Sequence, residues 1–253
     1  MFRPRVIPIL LLKNKGLVKS INFKNFRYIG DPINAVKIFN DLLADELVFL
    51  DILASAEKRT IALDFVKNVG EEANMPFAVG GGIKSINEIR QIIAAGAEKV
   101  IINTNAVLHP EFIKEASETF GSSTIAVCLD IKKNLFGKVK IWSNNGRKQS
   151  SYSPLEFAQL MEEKGAGELI VQSISNDGLM NGYDLETIQL VSKAVSIPVV
   201  ALGGAGKFDD FTKAVDESYA SAVAAGSMFV YHGPRNAVLI NYPINESLNK
   251  IFR

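Results

Sequence analysis

Gly80-Gly81-Gly82-Ile83 and Gly203-Gly204-Ala205-Gly206 each follow a short apolar run, Phe77–Val79 in the first case and Pro198–Leu202 in the second. The two clusters stand 123 residues apart, and their surroundings recur at nearly the same offset. Glu46-Leu-Val-Phe-Leu-Asp51 resembles Glu168-Leu-Ile-Val-Gln-Ser173, 122 residues on, and Val100-Ile-Ile-Asn-Thr104 resembles Val223-Ala-Ala-Gly-Ser227, 123 residues on. Leu10-Leu-Leu-Lys13 resembles Leu129-Asp-Ile-Lys132 at an offset of 119. Four units recurring in order, twice, describe two half-barrels. The expected strands are Arg5–Leu12, Leu47–Ile52, Phe77–Val79, Val100–Asn103, Thr124–Asp130, Glu168–Ile174, Pro198–Leu202 and Ser221–Ala225. They are continuous apolar runs, as fits strands covered on both faces of a parallel sheet.

Helical patterns fill the gaps. Asp31-Pro32 precedes Ile33–Leu43, with Ala35, Ile38, Phe39 and Leu42 expected on one face. Ser85-Ile86-Asn87-Glu88 opens a second helix that ends near Gly96, Ser153-Pro154 opens Leu155–Lys164, and Asp184 opens Leu185–Ala194. Eight strand–helix units in about 250 residues fit a (β/α)8 TIM barrel. The rival, a doubly wound open sheet, has no reason to repeat at half its length. The expectation is an α/β chain with one TIM-barrel domain over residues 1–253, split into half-barrels at about 1–120 and 121–253.

Composition narrows the function. The 28 basic and 27 acidic side chains nearly cancel, which argues against broad nucleic-acid or membrane binding while leaving room for a local basic patch. One cysteine, Cys128, excludes an internal disulfide, and two histidines leave no basis for a histidine-rich zinc centre, so no metal and no cofactor are expected. No apolar run reaches the roughly 18 residues of a membrane span. Val6–Leu12 is short and lacks a cleavage pattern, so a cytoplasmic protein is expected.

Barrel chemistry gathers at the C-terminal strand ends. There Gly81, Gly82, Asn103 and Thr104 face the repeat-related Gly203, Gly204, Gly226 and Ser227. Glycines permit close backbone approach to an anion, and helix N-termini following them offer free N–H groups. Two matched clusters imply an elongated ligand with a phosphate at each end; the plainer alternative is that the glycines only allow tight turns. Lys19, in the loop after strand 1, could add a cationic contact or simply be solvated. Asp51, Asp130, Ser173 and Asp177 lie between the clusters, with Gly178 beside them. Asp130 could act as general acid or base, or pair with a lysine such as Lys132. Its repeat partner is Leu11, which cannot transfer a proton. At the opposite mouth Arg5, Glu46, Lys99 and Glu168 stand at or just before strand starts. They could seal the floor as a ring of ion pairs, or form a gate through which a small neutral molecule enters from a docked partner.

Together these residues resemble the cyclase subunit of imidazole glycerol phosphate synthase, the HisF family. The resemblance runs from Arg5 to about Val230. It is carried by Gly30-Asp-Pro32, Asp45-Glu-Leu-Val-Phe-Leu-Asp51, Val79-Gly-Gly-Gly-Ile83, Ile102-Asn-Thr104, Lys164-Gly-Ala-Gly-Glu168, Asp177-Gly178, Gly182-Tyr-Asp184 and Gly203-Gly-Ala-Gly-Lys207. It implies a (β/α)8 barrel with a phosphate site in each half. A separate HisH-like glutaminase docks on the N-terminal face and supplies ammonia through the barrel to a bisphosphorylated ribulosyl intermediate. By resemblance, Arg5, Glu46, Lys99 and Glu168 match the family's charged gate. Gly82, Asn103, Thr104, Asp177, Gly203, Gly226 and Ser227 fall on ligand-binding positions, and Asp130 matches one of two catalytic aspartates.

Leu11 departs from the other aspartate, inside Ile9-Leu-Leu-Leu-Lys13. Ser175 and Gln172 depart from a usual aspartate and a small channel-lining threonine. Arg3-Pro-Arg-Val-Ile-Pro-Ile-Leu-Leu-Leu-Lys-Asn14 resembles a HisF-like subgroup associated with lipopolysaccharide and other surface-polysaccharide genes. That subgroup accompanies a glutaminase-like protein and a sugar amidotransferase. The implied function is the synthase subunit of a glutamine amidotransferase complex in sugar amidation. The alternatives are the lyase-type cyclase of histidine biosynthesis and a non-catalytic ammonia conduit.

Overall fold

Arg5–Lys13 (β1), Leu47–Asp51 (β2), Phe77–Gly80 (β3), Lys99–Ile102 (β4), Ile125–Lys133 (β5), Glu168–Ser173 (β6), Val199–Leu202 (β7) and Ala222–Ala225 (β8) pair in parallel with their sequence neighbours. β1 also pairs with β8, Arg5 opposite Ala222 and Pro8 opposite Ala225, so the sheet closes into an eight-stranded parallel barrel. The structure is a computed structural model and describes residues 3–252. Each expected strand is present, with no end moved by more than three residues. β1 and β5 run longest because each continues upward into an antiparallel hairpin. β1 pairs with Gly16–Ile21, which pairs with Lys24–Gly30, and β5 pairs with Val139–Ser143. Neither hairpin was expected.

Helices Pro32–Asp41 (α1), Leu63–Glu72 (α2), Ile86–Ala94 (α3), Glu111–Phe120 (α4), Pro154–Glu163 (α5), Leu185–Ser192 (α6) and Phe208–Asp216 (α7) follow the first seven strands, and Asn245–Ile251 (α8) ends the order. Their starts follow local chemistry. Asp31 accepts from Asn34 N–H at 2.9 Å before Pro32, and Ser85 with Glu88 and Ser153 with Glu156 form reciprocal capping boxes. On α1 the buried residues are Pro32, Ala35, Val36 and Phe39, while Ile38 turns outward and Leu42 lies beyond the helix end. The apolar stripe is thus centred one position away from the expected face. Among the described residues no helix is long and apolar enough to cross a membrane.

Strand alternation divides the apolar residues into two cores. One set lies between barrel and helices; the other fills the barrel interior, with Ile7, Ile9, Val48, Ala78, Ile101, Ala126, Cys128, Ile170, Val200 and Leu202 among it. Phe211 on α7 anchors the outer core. It is fully buried and lies 6.4 Å from Tyr183, 6.0 Å from Phe208 and 6.1 Å from Phe229, ring centre to ring centre. Phe211→Ala is expected to cost about 3–5 kcal/mol, read as a lower midpoint in urea. A loss well under 1 kcal/mol would mean that this cluster does not hold α7 to the barrel.

Candidate functional site

The C-terminal ends of the strands surround a cavity of about 380 Å³. Its lining includes Leu11, Lys19, Asp51, Gly81, Gly82, Asn103, Thr104, Asp130, Gln172, Asp177, Gly178, Gly203, Gly204, Gly226 and Ser227. Ser173 does not line it. Side chains alternate along β6, so Glu168, Ile170 and Gln172 point inward and Ser173 is buried against the outer layer.

The two glycine clusters take matching shapes. Gly82 (φ +67°) and Gly204 (φ +111°) both adopt backbone reserved for glycine, and a Cβ on either would strike a carbonyl oxygen, that of Arg59 or of Gly182. Just before the helices beyond the clusters, some of the N–H groups are already used. Glu88 accepts from the N–H groups of Lys84 and Ser85, and Asp210 does the same for Gly206 and Lys207 at 2.9 and 3.1 Å. A second pair of backbone sites follows the next pair of strands. A short helix, Thr104–Leu108, follows Asn103, and a 3₁₀ turn, Ser227–Phe229, follows Gly226, neither with a side-chain cap. Asn103 (φ −119°, ψ −74°) and Gly226 (φ −107°, ψ −73°) share one backbone conformation. The Asn103 amide is committed elsewhere, donating to the carbonyls of Cys128 (2.9 Å) and Trp142 (3.2 Å), and the Thr104 hydroxyl accepts from Asn144 N–H at 3.0 Å. Both side chains therefore pin the β5 hairpin over the mouth.

Lys19 is neither in a loop nor solvated. It lies in the strand Gly16–Ile21, 4% exposed, donating to the Ile9 carbonyl, and a Cβ on Gly226 would fall 2.6 Å from its Nζ. Burial pushes its ammonium down to about 7, against the opposing pull of Asp177. An anion beside Gly226 would favour its charged form.

Asp177 clamps the β1 hairpin to the loop after β6. Its carboxylate accepts from Ser20 Oγ at 2.6 Å and from Gln172 Nε2 at 3.5 Å, and burial raises its pKa despite these donors. Asp51 is saturated: it accepts from Leu53 and Ala54 N–H at 3.0 and 3.2 Å and pairs with Arg59 at 2.5 Å. That makes it a brace for the rim.

Asp130 is not paired with Lys132, which lies over the Trp142 ring at 5.1 Å. It accepts from the Cys128 thiol at 3.3 Å, and burial pushes its pKa up to about 7, with Asp177 adding to the rise and the thiol opposing it. Burial raises the Cys128 thiol well above its usual range, so the thiolate is suppressed. Leu11, on the opposite wall, packs against the inner core. Sequence reasoning missed Arg59 and Asn145, the latter reaching across to the Ile52 carbonyl at 2.8 Å. The turn signal Asn144-Asn145-Gly146 after Val-Lys-Ile-Trp could have revealed it.

At the other end Arg5, Glu46, Lys99 and Glu168 do meet in one ring. Arg5 bonds both glutamates, and Lys99 Nζ lies 3.4 Å from Glu46 and 3.2 Å from Glu168. Charges alternate around it, and the apolar interior lies directly above. Among the described residues no cluster of three or more histidine, cysteine or acidic side chains could hold a metal.

The family described as histidine biosynthesis protein matches residues 5–234. A Pseudomonas aeruginosa protein, provisionally named imidazole glycerol phosphate synthase subunit hisF2, is 43% identical over 243 residues, 96% of this chain and 97% of its own. A Leptospira interrogans protein with the provisional name HisF is 40% identical over the whole of both chains. The imidazole glycerol phosphate synthase subunit HisF of Alkaliphilus metalliredigens is 41% identical over 232 residues, 92% of each chain.

The Asp130 environment has a pH signature. The unfolded chain loses this proton near pH 4 and the folded chain near 7. The folded state therefore binds more protons in that window, and this contribution to stability falls as pH rises from about 4 to about 7, then stays level. Asp130→Asn removes it, so the variant should gain stability over the parent at about pH 8 relative to about pH 5 in urea unfolding. The same difference at both values would mean that Asp130 ionises normally.

Proposed function

The chain belongs to the histidine biosynthesis protein family as a HisF-type synthase subunit, and we propose that it delivers ammonia from a separate glutaminase to a phosphorylated ligand in nucleotide-sugar or surface-polysaccharide amidation, beside a sugar amidotransferase. One observation carries the choice of pathway. Leu11 faces the mouth across from Asp130, so the two-aspartate acid/base pair implied by the family resemblance is reduced to one aspartate.

In this reading the glutaminase covers the N-terminal face and ammonia enters through the ring. Lys99 is the member suited to swing. It is a flexible point charge held by two long contacts, whereas Arg5 grips both glutamates through its guanidinium fork. The apolar interior above admits a neutral molecule and penalises an ion. At the mouth, backbone N–H groups around Gly81, Gly82, Asn103 and Thr104 hold one end of the ligand. Those around Gly203, Gly204, Gly226 and Ser227, with Lys19, hold the other. Asp177 and Gly178 shape the wall, and Asp130, ionising near neutrality, moves a proton.

A second reading, the cyclase of histidine biosynthesis, rests on Asp177. This second carboxylate also lines the mouth, with a raised pKa and influence on Asp130, and could replace the missing partner. Ammonium with the bisphosphorylated ribulosyl intermediate separates the two. Under the first reading the pure protein gives negligible turnover, and Leu11→Asp raises it about 10²-fold or more; rapid turnover by the parent protein establishes the second instead. In the co-purified complex Lys99→Ala should change the rate of glutamine-driven transfer. Transfer at the parental rate would rule out the gate.

A further inference from the structure

The hairpin after β5 meets the mouth through Trp142, Asn144 and Asn145, and its far end carries a different chemistry. Between Asp130 and Glu156 the chain carries Lys132, Lys133, Lys138, Lys140, Arg147 and Lys148 and no acidic residue. These are six of the 28 basic side chains and none of the 27 acidic ones, so the rest of the chain has 22 basic against 27 acidic. Among the described residues none of the six makes an ion pair. The hairpin after β1, on the same end of the barrel, adds Lys13, Lys15, Lys24 and Arg27.

At the tip stand Leu135 and Phe136, 101% and 87% exposed, the two most exposed large apolar side chains described. Their display is built in. Asn134 Oδ1 accepts from Phe136 N–H at 2.9 Å and Lys138 N–H at 3.0 Å, and Asn134 N–H donates to the Lys138 carbonyl at 2.9 Å. The turn is therefore held by its own hydrogen bonds while its apolar side chains stand in solvent.

We infer that this tip is a membrane-docking wedge, with Leu135 and Phe136 entering a lipid surface and Lys132, Lys133, Lys138 and Lys140 beside them resting on anionic headgroups. Two features favour lipid over a protein partner. The apolar pair protrudes from a convex tip, whereas a protein interface presents a broader complementary patch whose centre is depleted in lysine. Lysine beside inserted apolar groups is the pattern of interfacial anchoring, where long stems lie along the apolar boundary and the charge stays among headgroups. Docking of this kind turns the C-terminal mouth toward the membrane and leaves the N-terminal face open. The inference is independent of which reaction the mouth performs.

Flotation of the full chain with vesicles tests it. Phosphatidylcholine mixed with phosphatidylglycerol should carry the protein at low salt, and pure phosphatidylcholine should not. Leu135→Ser with Phe136→Ser should weaken binding about tenfold or more, at unchanged thermal stability because both side chains are exposed. Raising salt to about 1 M, where the screening length falls to roughly 3 Å, should release the protein. Failure of the parent protein to float, or equal binding by the double variant, overturns the wedge. Indifference to vesicles combined with salt-sensitive capture by a purified acidic partner would reassign the surface to protein.

Discussion

Closure of the sheet on itself governs everything else in this molecule. Once β1 bonds to β8, every second side chain on each strand points into an interior only wide enough for side chains, and the others face the helices. Position along a strand then becomes depth. The first inward residues form the charged ring of Arg5, Glu46, Lys99 and Glu168; the next form the apolar filling; the last, Leu11, Asp130 and Gln172, form the base of the mouth. A ring of four partly buried charges adds little net stability, because desolvation offsets attraction. Its position beneath an apolar interior is what gives it functional interest.

The mouth is made largely from main chain. Glycines at repeat-related positions bring backbone close to the cavity, and the acidic residues at the following helix starts consume nearby amides before a ligand could. Two hairpins then lay side chains across the opening. One brings in Lys19 and Ser20; the other is pinned by Asn103 and Thr104. Buried carboxylates and a buried lysine meet there with shifted ionisation, the condition expected where protons are moved.

The barrel was legible because its signals are local and repeated. Apolar runs, caps and glycine clusters recur at nearly constant offset, and the strand ends locate the mouth. The hairpins were not legible for a physical reason. Gly16–Ile21 and Val139–Ser143 mix lysine and serine with apolar residues, and reading strands as continuous apolar runs passes over such segments. That omission misplaced Lys19 and hid Asn145. Ser173 was misread because position at a strand end does not say which face a side chain takes; counting alternation from Glu168 would have turned it outward. The partners of Asn103 are tertiary and leave no trace in spacing, whereas those of Asp51 lie within eight residues and were simply not read.

The pairing of β1 with β8 also sets the timing of assembly. Of the eight barrel strands β1 comes first in the sequence and β8 last, more than 200 residues later. The lower part of β1 keeps one open edge until β8 has been made; its hairpin covers only the upper part, from Leu11 to Lys13. Even the final latch is late: the Tyr242 hydroxyl donates to the Val6 carbonyl at 2.9 Å. Contacts of such long sequence separation slow folding and prolong the exposure of sticky edges. The nascent chain is thus an unsealed sheet until β8 arrives, and closure is the step at which its last sticky edge disappears.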